Sequence, residues 1–275
     1  MAGDLDLDAY FARIGYSGER SAALTTLREI HALHPAAIAF ENLNPLLRIP
    51  VLLDIESLQR KLIESGRGGY CYEHNLLLKR ALELLGFEVT GLAARVLWTR
   101  PDDAITARTH MLLLVTIDGE RYIADVGFGG QTLTGPLRLQ PDIVQETPHE
   151  PFRLKKLADE FLLQSLIRGE WRSLYRFDLQ PQHLIDYELA SWYLCNHPQS
   201  HFIAGLRIAR SVSGRRHTLA ADELSTHAPE GTSSRVLRSV DELREALVNV
   251  FGIRLPDHPE LPATLSRALR STSAQ

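Results

Sequence analysis

One of the two cysteines lies in a segment whose composition is typical of reactive thiols. Cys71 stands in SGRGGYCYEHN (65–75), behind a glycine pair and four residues after the cation Arg67. The glycines allow a sharp turn and leave the sulfur uncovered. The residues after Cys71 predict a helix, and the unpaired N–H groups at a helix N-terminus favour an anion, which lowers the pKa of a thiol. Cys71 is therefore a candidate nucleophile, although a lone cysteine is more often a core residue.

A second segment supplies a candidate base and an acid to orient it. THMLLLVTIDGERYIADVGFGG (109–130) holds two apolar runs joined by Asp118-Gly119, a strong hairpin signal. A two-residue turn makes His110 and Asp125 diagonal neighbours on one face, whereas a three-residue loop would separate them. Both strands are apolar on both faces, so Asp125 should be buried and needs a partner. A nucleophilic thiol needs such a His–Asp pair. The plainer alternative is two unrelated polar residues at the end of a hairpin.

Composition and charge limit the kind of protein this is. The chain has 275 residues, 44% hydrophobic and 23% charged, which is ordinary for a soluble globular protein. A net charge of −4 gives no pull toward nucleic acid or an anionic membrane. No apolar run is long enough to span a membrane, and MAGDLDLDAY lacks a basic-then-apolar signal layout. We therefore expect a cytoplasmic protein, with both thiols reduced.

The hydrophobic patterns divide the chain into three sections, which together predict an α+β fold. Residues 1–86 read as helices with apolar residues at helical spacing. Residues 87–180 alternate short apolar runs with turn signals, as expected of an antiparallel meander or barrel. Residues 181–275 begin with a helix and combine short strands with a second helix that Ser239 caps. The last five residues, STSAQ, should be frayed.

Five motifs, in this order, resemble those of the arylamine N-acetyltransferases. They are FENL (40–43), RGGYCYEHN (67–75), HMLLLV (110–115), DVGFGG (125–130) and SWYLCNHPQSHF (191–202). The resemblance implies Cys71 as the acyl-accepting nucleophile, His110 as its base and Asp125 as the residue that orients the base. The implied fold is an N-terminal helical bundle, a central antiparallel β-barrel and a C-terminal α/β lid, around a cysteine-protease/transglutaminase-like core.

The same resemblance implies the substrates and their contacts. Acetyl-CoA would be the donor, and arylamines, arylhydrazines or N-arylhydroxylamines the acceptors, without a metal. Positions that line the acceptor pocket of the family correspond to Phe40, Phe128 and Phe202. Contacts to the coenzyme are implied at Thr109, Gly129 and Gly130. Cys195 departs from the small polar residue typical of its position.

Several alternatives stay open at the level of the sequence. A thiol hydrolase or a transglutaminase-like enzyme would use the same three residues, and a non-catalytic binding module could retain them. Glu73 could orient the histidine in place of Asp125, although its place in the first helical turn suits the dipole and a pairing with Arg67. Three residues, Cys195, His197 and His201, have metal-ligand types but offer no fourth ligand, so we expect no zinc site. We expect His31 and His34 to cap a helix or lie at the surface.

Overall fold

Helices make up most of the first section in the computed structural model, which describes residues 4–270. The predicted fraying of 271–275 lies outside the described residues. Local capping starts two of the helices, since Asp6 accepts a hydrogen bond from the N–H of Ala9 and Asp54 from that of Ser57. The elements are α1 (Leu7–Ile14), α2 (Leu24–Ala37), β1 (Phe40–Glu41), α3 (Leu43–Leu46), α4 (Ile55–Leu58), continued by a π-helical turn (Gln59–Glu64), and α5 (Cys71–Leu84).

The middle of the chain forms an eight-stranded antiparallel sheet that curls into a nearly closed barrel. Its spatial order is β5-β4-β3-β2-β9-β8-β7-β6. The strands are β2 (Glu88–Val96), β3 (Arg108–Ile117), β4 (Glu120–Ala124), β5 (Leu137–Arg138), β6 (Val144–Gln145), β7 (Phe152–Leu157), β8 (Glu160–Ile167) and β9 (Glu170–Phe177). The predicted antiparallel barrel is confirmed.

The last section combines helices with a second antiparallel sheet. The elements are α6 (Leu184–Asn196), α7 (His201–Ala204), β10 (Arg207–Val212), β11 (Arg215–Ala220), β12 (Glu223–Ala228), β13 (Gly231–Val236), α8 (Val240–Glu245) and α9 (Leu261–Arg270). Ser239 caps α8, as predicted. The sheet has the order β1-β10-β11-β12-β13, so one strand comes from the first section. The section limits at 86/87 and 180/181 stay a prediction. Within residues 4–270, we find no helix long and apolar enough to cross a membrane.

Strand β3 is apolar on both faces because each face has its own hydrophobic core. Met111, Leu113 and Val115 are buried in a core shared with the helices of the first section, including α5. Leu112 is buried in the interior of the barrel instead. The alternation of a strand sends these neighbours in opposite directions. Helix α5 is thus packed on the outside of the barrel, beside the strand that carries His110.

The β3–β4 hairpin has the predicted two-residue turn. Asp118 and Gly119 both have positive φ, 51° and 79°, which suits a type I′ turn. The turn pairs Ile117 with Glu120, and the ladder ends where Leu113 meets Ala124. Asp125 is consequently the first residue beyond the end of β4.

Three histidines of the helical section are buried, and the expectation that two of them cap a helix or lie at the surface is wrong. His31 and His34 have no exposed surface and His74 has 1%, because they lie on the faces of α2 and α5 that are packed into the protein. Burial lowers the pKa of His31 and of His74 to about 4, and that of His34 well below its ordinary value. All three rings are therefore neutral at pH 7.

The buried histidines predict a loss of stability in mild acid. The unfolded chain takes up protons as the pH falls through the ordinary histidine pKa of 6.5, whereas folded His31 and His74 stay neutral down to about 4. The contribution of these histidines to the free energy of unfolding should therefore be fully present above pH 6.5. Below pH 6.5 the free energy of unfolding should fall by about 1.4 kcal/mol per pH unit for each such histidine. Urea unfolding at pH 7, 6 and 5 measures this slope.

Substitution separates the histidine contribution from that of other groups. His31→Gln keeps a neutral polar side chain and should have a shallower slope than the wild type. His183 is exposed, so His183→Gln should keep the wild-type slope. A free energy of unfolding that stays constant from pH 7 to pH 5 would contradict the prediction.

Candidate active site

Cys71 is the first residue of α5 and is 3% exposed. The start of the helix is held by Glu73, whose carboxylate accepts the N–H of Tyr70 at 3.0 Å. The other oxygen of Glu73 accepts a hydrogen bond from Lys61 Nζ at 2.7 Å. Glu73 therefore pairs with Lys61, and the suggested pairing with Arg67 is wrong. Its contacts serve the helix start and do not include His110.

Arg67 lies in the turn before Cys71, but its hydrogen bonds are to Glu41 and Asn44 and not to the thiol. Its guanidinium donates to Glu41 Oε1 at 2.6 and 3.0 Å and to Asn44 Oδ1 at 2.9 Å. Both charges of this ion pair are buried, so each neutralises the other. Next to it, Gly68 allows two chain segments to touch, since a Cβ there would lie 2.0 Å from the carbonyl oxygen of Ala39. The glycine is required by this contact.

The electrostatics of the thiol differ from the expectation. Burial raises the pKa of Cys71 above its ordinary value, and the negative charge of Asp125 raises it further. Hydrogen bonds with the backbones of Met111 and Tyr72 lower the pKa, but burial outweighs them. The backbone at the helix start does lower the thiol pKa, as the sequence indicated, but burial outweighs it and the net shift is upward. An anion at this sulfur needs a base that accepts the proton close by.

The structure joins His110 and Asp125 directly. The His110 Nε2 atom lies 2.7 Å from Asp125 Oδ2, and Asp125 has no exposed surface. Burial raises the pKa of this carboxyl, but the electrostatic interaction with His110 and the hydrogen bonds from His110, Asn75 and Gly127 outweigh it and hold the pKa below its ordinary value. A carboxylate only accepts hydrogen bonds, so Nε2 carries the proton. The Nδ1 atom of His110 is then free to accept one.

Two residues that the sequence analysis did not single out donate further hydrogen bonds to the Asp125 carboxylate. Asn75 Nδ2 donates to Asp125 Oδ1 at 2.9 Å, and Tyr175 OH donates to Oδ2 at 2.9 Å. Asn75 lies one helical turn after Cys71 and also donates to the carbonyl of Met111 at 2.7 Å. The sequence indicated Asn75 only through its i, i+4 spacing from Cys71, which puts both residues on one face of the helix. For Tyr175 the indication was that a buried tyrosine hydroxyl needs a hydrogen-bond partner.

Backbone contacts bring the thiol and the His–Asp pair to one place. The thiol of Cys71 donates to the carbonyl of Thr109 at 3.7 Å, and not to the neighbouring His110 ring. The turn after Asp125 touches the helix start, because a Cβ at Gly127 would lie 2.8 Å from the Cα of Cys71. Only glycine fits there. The nucleophile candidate therefore contacts the neighbours of both His110 and Asp125.

The three aromatic residues expected at an acceptor pocket lie around this place. Phe40 and Phe202 have ring centroids 6.0 Å apart, and Phe128 meets His110 edge to face at 5.1 Å. The Phe40–Phe202 pair contacts the segment of Phe128 at Gly129, where a Cβ would lie 3.6 Å from the Phe40 ring. Phe40 and Phe128 are partly exposed, so apolar surface next to His110 is accessible.

The positions implied for coenzyme contacts are spread over two elements. Thr109 lies on β3 and its carbonyl contacts the thiol. Gly129 and Gly130 begin a short 3₁₀ turn after the Asp125 loop. A Cβ at Gly130 would lie 2.8 Å from Thr218 Cγ2, so β11 approaches the backbone closely. Gly129 has a φ of 78°, which favours glycine.

The cluster of metal-ligand types around α6 does not gather into a metal site. Cys195 lies 3.4 Å from the hydroxyl of Tyr70, and His197 stacks on Tyr193 with ring centroids 4.4 Å apart. His201 stacks on Phe202 instead. Among residues 4–270, no three histidine, cysteine or acidic side chains lie together in a way that could hold a metal ion.

The chain is similar to known acetyltransferases over nearly its whole length. Residues 23–259 match the family model described as N-acetyltransferase. The chain is 48% identical to the arylamine N-acetyltransferase of Mycolicibacterium smegmatis, over 92% of this chain and 94% of that protein. It superimposes on the arylamine N-acetyltransferase of Mycobacterium marinum with a TM-score of 0.93 at 40% identity, covering 96% of this chain and 100% of the other.

A second structure of the Mycobacterium marinum enzyme, in complex with CoA, has a TM-score of 0.92 and 40% identity and covers 96% of this chain and 99% of the other. These similarities extend through every element that carries a candidate site residue. The family resemblance of the sequence motifs is thereby confirmed: the chain belongs to the arylamine N-acetyltransferase family.

Proposed function

We propose that this protein transfers an acetyl group from acetyl-CoA to arylamines, arylhydrazines or N-arylhydroxylamines, through a thioester on Cys71. Family membership supports the reaction class, and the CoA complex of the Mycobacterium marinum relative supports the donor. The observation that carries the residue assignment is the pairing of His110 with the buried carboxylate of Asp125, next to a buried thiol. In this proposal Cys71, His110 and Asp125 form a catalytic triad.

The electrostatics support a different role for each member of the proposed triad. Burial disfavours a free thiolate at Cys71, so its proton has to pass to a base during the reaction. Nδ1 of His110 takes this proton, since Nε2 already donates to Asp125. The imidazolium that forms is stabilised by the carboxylate beside it. Asp125 thus keeps the ring in the tautomer that accepts a proton at Nδ1.

The reaction then has two halves with the same base. Cys71 Sγ attacks the carbonyl carbon of acetyl-CoA while His110 takes the thiol proton, and the bond from that carbon to the CoA sulfur breaks. CoA leaves with the proton from His110. The amine nitrogen next attacks the acetyl-cysteine, gives its proton to His110, and the bond to Sγ breaks, so that Cys71 regains its proton. One thiol serves both halves, which requires CoA to leave before the amine reacts.

The surroundings of the thiol suit an aromatic acceptor. Phe128 lies edge to face against His110, and Phe40, which contacts Phe202, lies beside Gly129. These apolar rings favour a planar arene. In our proposal they form the wall of the acceptor site, and Thr109, Gly129 and Gly130 lie along the path of the donor. A weakly basic arylamine is neutral and nucleophilic at pH 7, whereas an alkylamine is mostly protonated and reacts poorly.

The proposal extends to the cellular role. Both cysteines are free in the structure, and a nucleophilic thiol stays reduced in the cytoplasm. We infer that the protein works there, on aromatic amines and hydrazines of xenobiotic origin.

The test of the proposal is an acetyl adduct on Cys71. Mixing the protein with acetyl-CoA alone should add the mass of one acetyl group, and peptide mapping should place it on Cys71. Cys71→Ser should remain folded, because the hydroxyl is similar in size, but should form no adduct and have no turnover, since a hydroxyl pKa is too high for His110 to ionise it. Cys195→Ser is the matched control and should acquire the adduct.

Steady-state kinetics test whether the adduct is an intermediate. Rates at several fixed amine concentrations should give parallel double-reciprocal lines against acetyl-CoA. Intersecting lines would indicate direct transfer in a ternary complex and would remove Cys71 from its role as carrier. If the adduct forms but releases acetate to water faster than it acetylates an arylamine, the protein is a thiol hydrolase instead.

A second prediction concerns Asp125→Asn, which should reduce turnover about 10⁴-fold. The new amide NH₂ cannot replace Oδ1, because the N–H of Gly127 and the amide of Asn75 donate there from fixed positions. It must replace Oδ2, where His110 can change its tautomer. Nδ1 then carries the proton and cannot accept the one from Cys71. Turnover numbers and thermal unfolding of the variant measure both effects.

Tyr175→Phe is the control for this prediction. It removes one donor from the same carboxylate but leaves the tautomer of His110 unchanged. Turnover should fall about tenfold or less, in keeping with the loss of one hydrogen bond. If Asp125→Asn reaches the rate of Tyr175→Phe, a group other than Asp125 orients His110.

A further inference from the structure

A chain of buried hydrogen bonds runs through the helical section to the turn before Cys71. Tyr10 OH lies 2.8 Å from His34 Nδ1, and His34 Nε2 lies 3.0 Å from His74 Nδ1. The Nε2 atom of His74 lies 3.2 Å from the carbonyl oxygen of Ala39 and 3.1 Å from that of Gly69. None of the steps in the proposed reaction uses these side chains.

The end of this chain determines the direction of every bond in it. Two carbonyl oxygens face His74 Nε2, so this nitrogen must carry the proton. A neutral His74 then accepts at Nδ1, which requires His34 to donate from Nε2. His34 accepts at Nδ1 in turn, and Tyr10 is the donor. The three groups therefore have a single arrangement of protons that satisfies all their partners.

The two carbonyls that His74 binds belong to the segments that carry the nucleophile and an acceptor-site wall. Gly69 lies two residues before Cys71, and Ala39 directly precedes Phe40. The segments already touch, since Gly69 N–H donates to Ala39 at 3.3 Å and Glu41 N–H donates to Gly69 at 2.7 Å. The Phe40 ring also lies nearly parallel to the His74 ring, at an angle of 8° and a centroid distance of 6.5 Å.

We propose that His74, held by His34, is a positioning residue that fixes the turn before Cys71 relative to Phe40. This inference rests on the proposed function, since it assigns the nucleophile to Cys71 and the acceptor wall to Phe40. A single Nε2–H between the two carbonyls ties both segments to α5, whose first residue is Cys71. Loss of that donor lets the turn and the aromatic wall move relative to the helix.

The neutral state of the rings agrees with this role. Burial lowers the pKa of His74 to about 4 and keeps the pKa of His34 well below its ordinary value. Both histidines are therefore uncharged around neutral pH, as the single arrangement of protons requires.

Two substitutions of His74 separate its two hydrogen bonds. In His74→Gln the amide nitrogen takes the place of Nε2, so a donor to the carbonyls of Ala39 and Gly69 is kept. In His74→Asn the amide reaches only the place of Nδ1, so the partner of His34 is kept and the donor to the carbonyls is lost. Both variants remove the ring and replace it by a smaller amide, which makes each the control of the other.

The measurement is the single-turnover rate of Cys71 acetylation by acetyl-CoA, per folded molecule, together with KM for an arylamine. His74→Gln should stay within about threefold of the wild type in both quantities. His74→Asn should acetylate Cys71 about tenfold more slowly or worse and have a raised KM for the amine, because small displacements of reacting groups are costly. A role in stability alone would lower the melting temperature of both variants and leave the rates per folded molecule equal.

Equal rates in the two variants, or a faster Asn variant, would overturn the proposal. If His74→Asn does not fold, His74→Leu replaces it, since Leu also lacks a donor to the carbonyls of Ala39 and Gly69, and the same order of rates relative to His74→Gln is expected. Failure of the proposed function is distinguishable, because the wild type would then form no acetyl adduct on Cys71.

Discussion

The buried carboxylate of Asp125 is the constraint on which the rest of the site depends. An isolated charge without exposed surface would cost several kcal/mol, so every lone pair needs a donor. The donors come from different parts of the chain: Asn75 from α5, His110 from β3, Tyr175 from β9 and the N–H of Gly127 from the turn that follows β4. His31 on α2 accepts the backbone N–H of Asp125 at 3.0 Å. The hydrogen bonds to this one carboxylate therefore hold the helical section against the barrel.

The turn before Cys71 is likewise held by buried charges that are paired with partners of opposite sign. Arg67 and Glu41 neutralise each other where the turn crosses β1, and Lys61 pairs with Glu73 in the first turn of α5. Breaking one member of a buried pair leaves an uncompensated charge, which makes both partners necessary together. Cys71 thus starts a helix whose first turn is fixed from two sides.

Burial raises the pKa of both Cys71 and Asp125, but the net shifts of the two groups are opposite, and in the proposed triad both suit acyl transfer. At Cys71 it raises the thiol pKa, so the sulfur is not a standing anion that reacts indiscriminately. At Asp125 the donors outweigh burial and the carboxylate stays charged. In the proposed reaction the proton of the thiol passes to His110, which lies against the ring of Phe128.

The sequence by itself determined the parts of the site that depend on local geometry. Helix α5 begins at Cys71 because glycines precede it and an acid follows in the first turn, and the turn at Asp118 and Gly119 sets a register that brings His110 near Asp125. Burial of Asp125 followed from strands that are apolar on both faces. These features depend on neighbours a few residues apart or on a single hairpin, whose alternation and turn type are readable from residue types.

Only the tertiary structure decided which distant side chains meet. Arg67 pairs with Glu41, 26 residues away, and not with the nearer Glu73, which Lys61 occupies. His34, with a residue pattern that suited the surface, is buried because α2 lies under α5. Asn75 and Tyr175 reach Asp125 from separate elements, 50 residues away in each case. The effect of burial on the Cys71 pKa likewise depends on what covers the helix start. Such partners are selected by the packing of whole elements against each other, and residue types and spacing alone do not specify that packing.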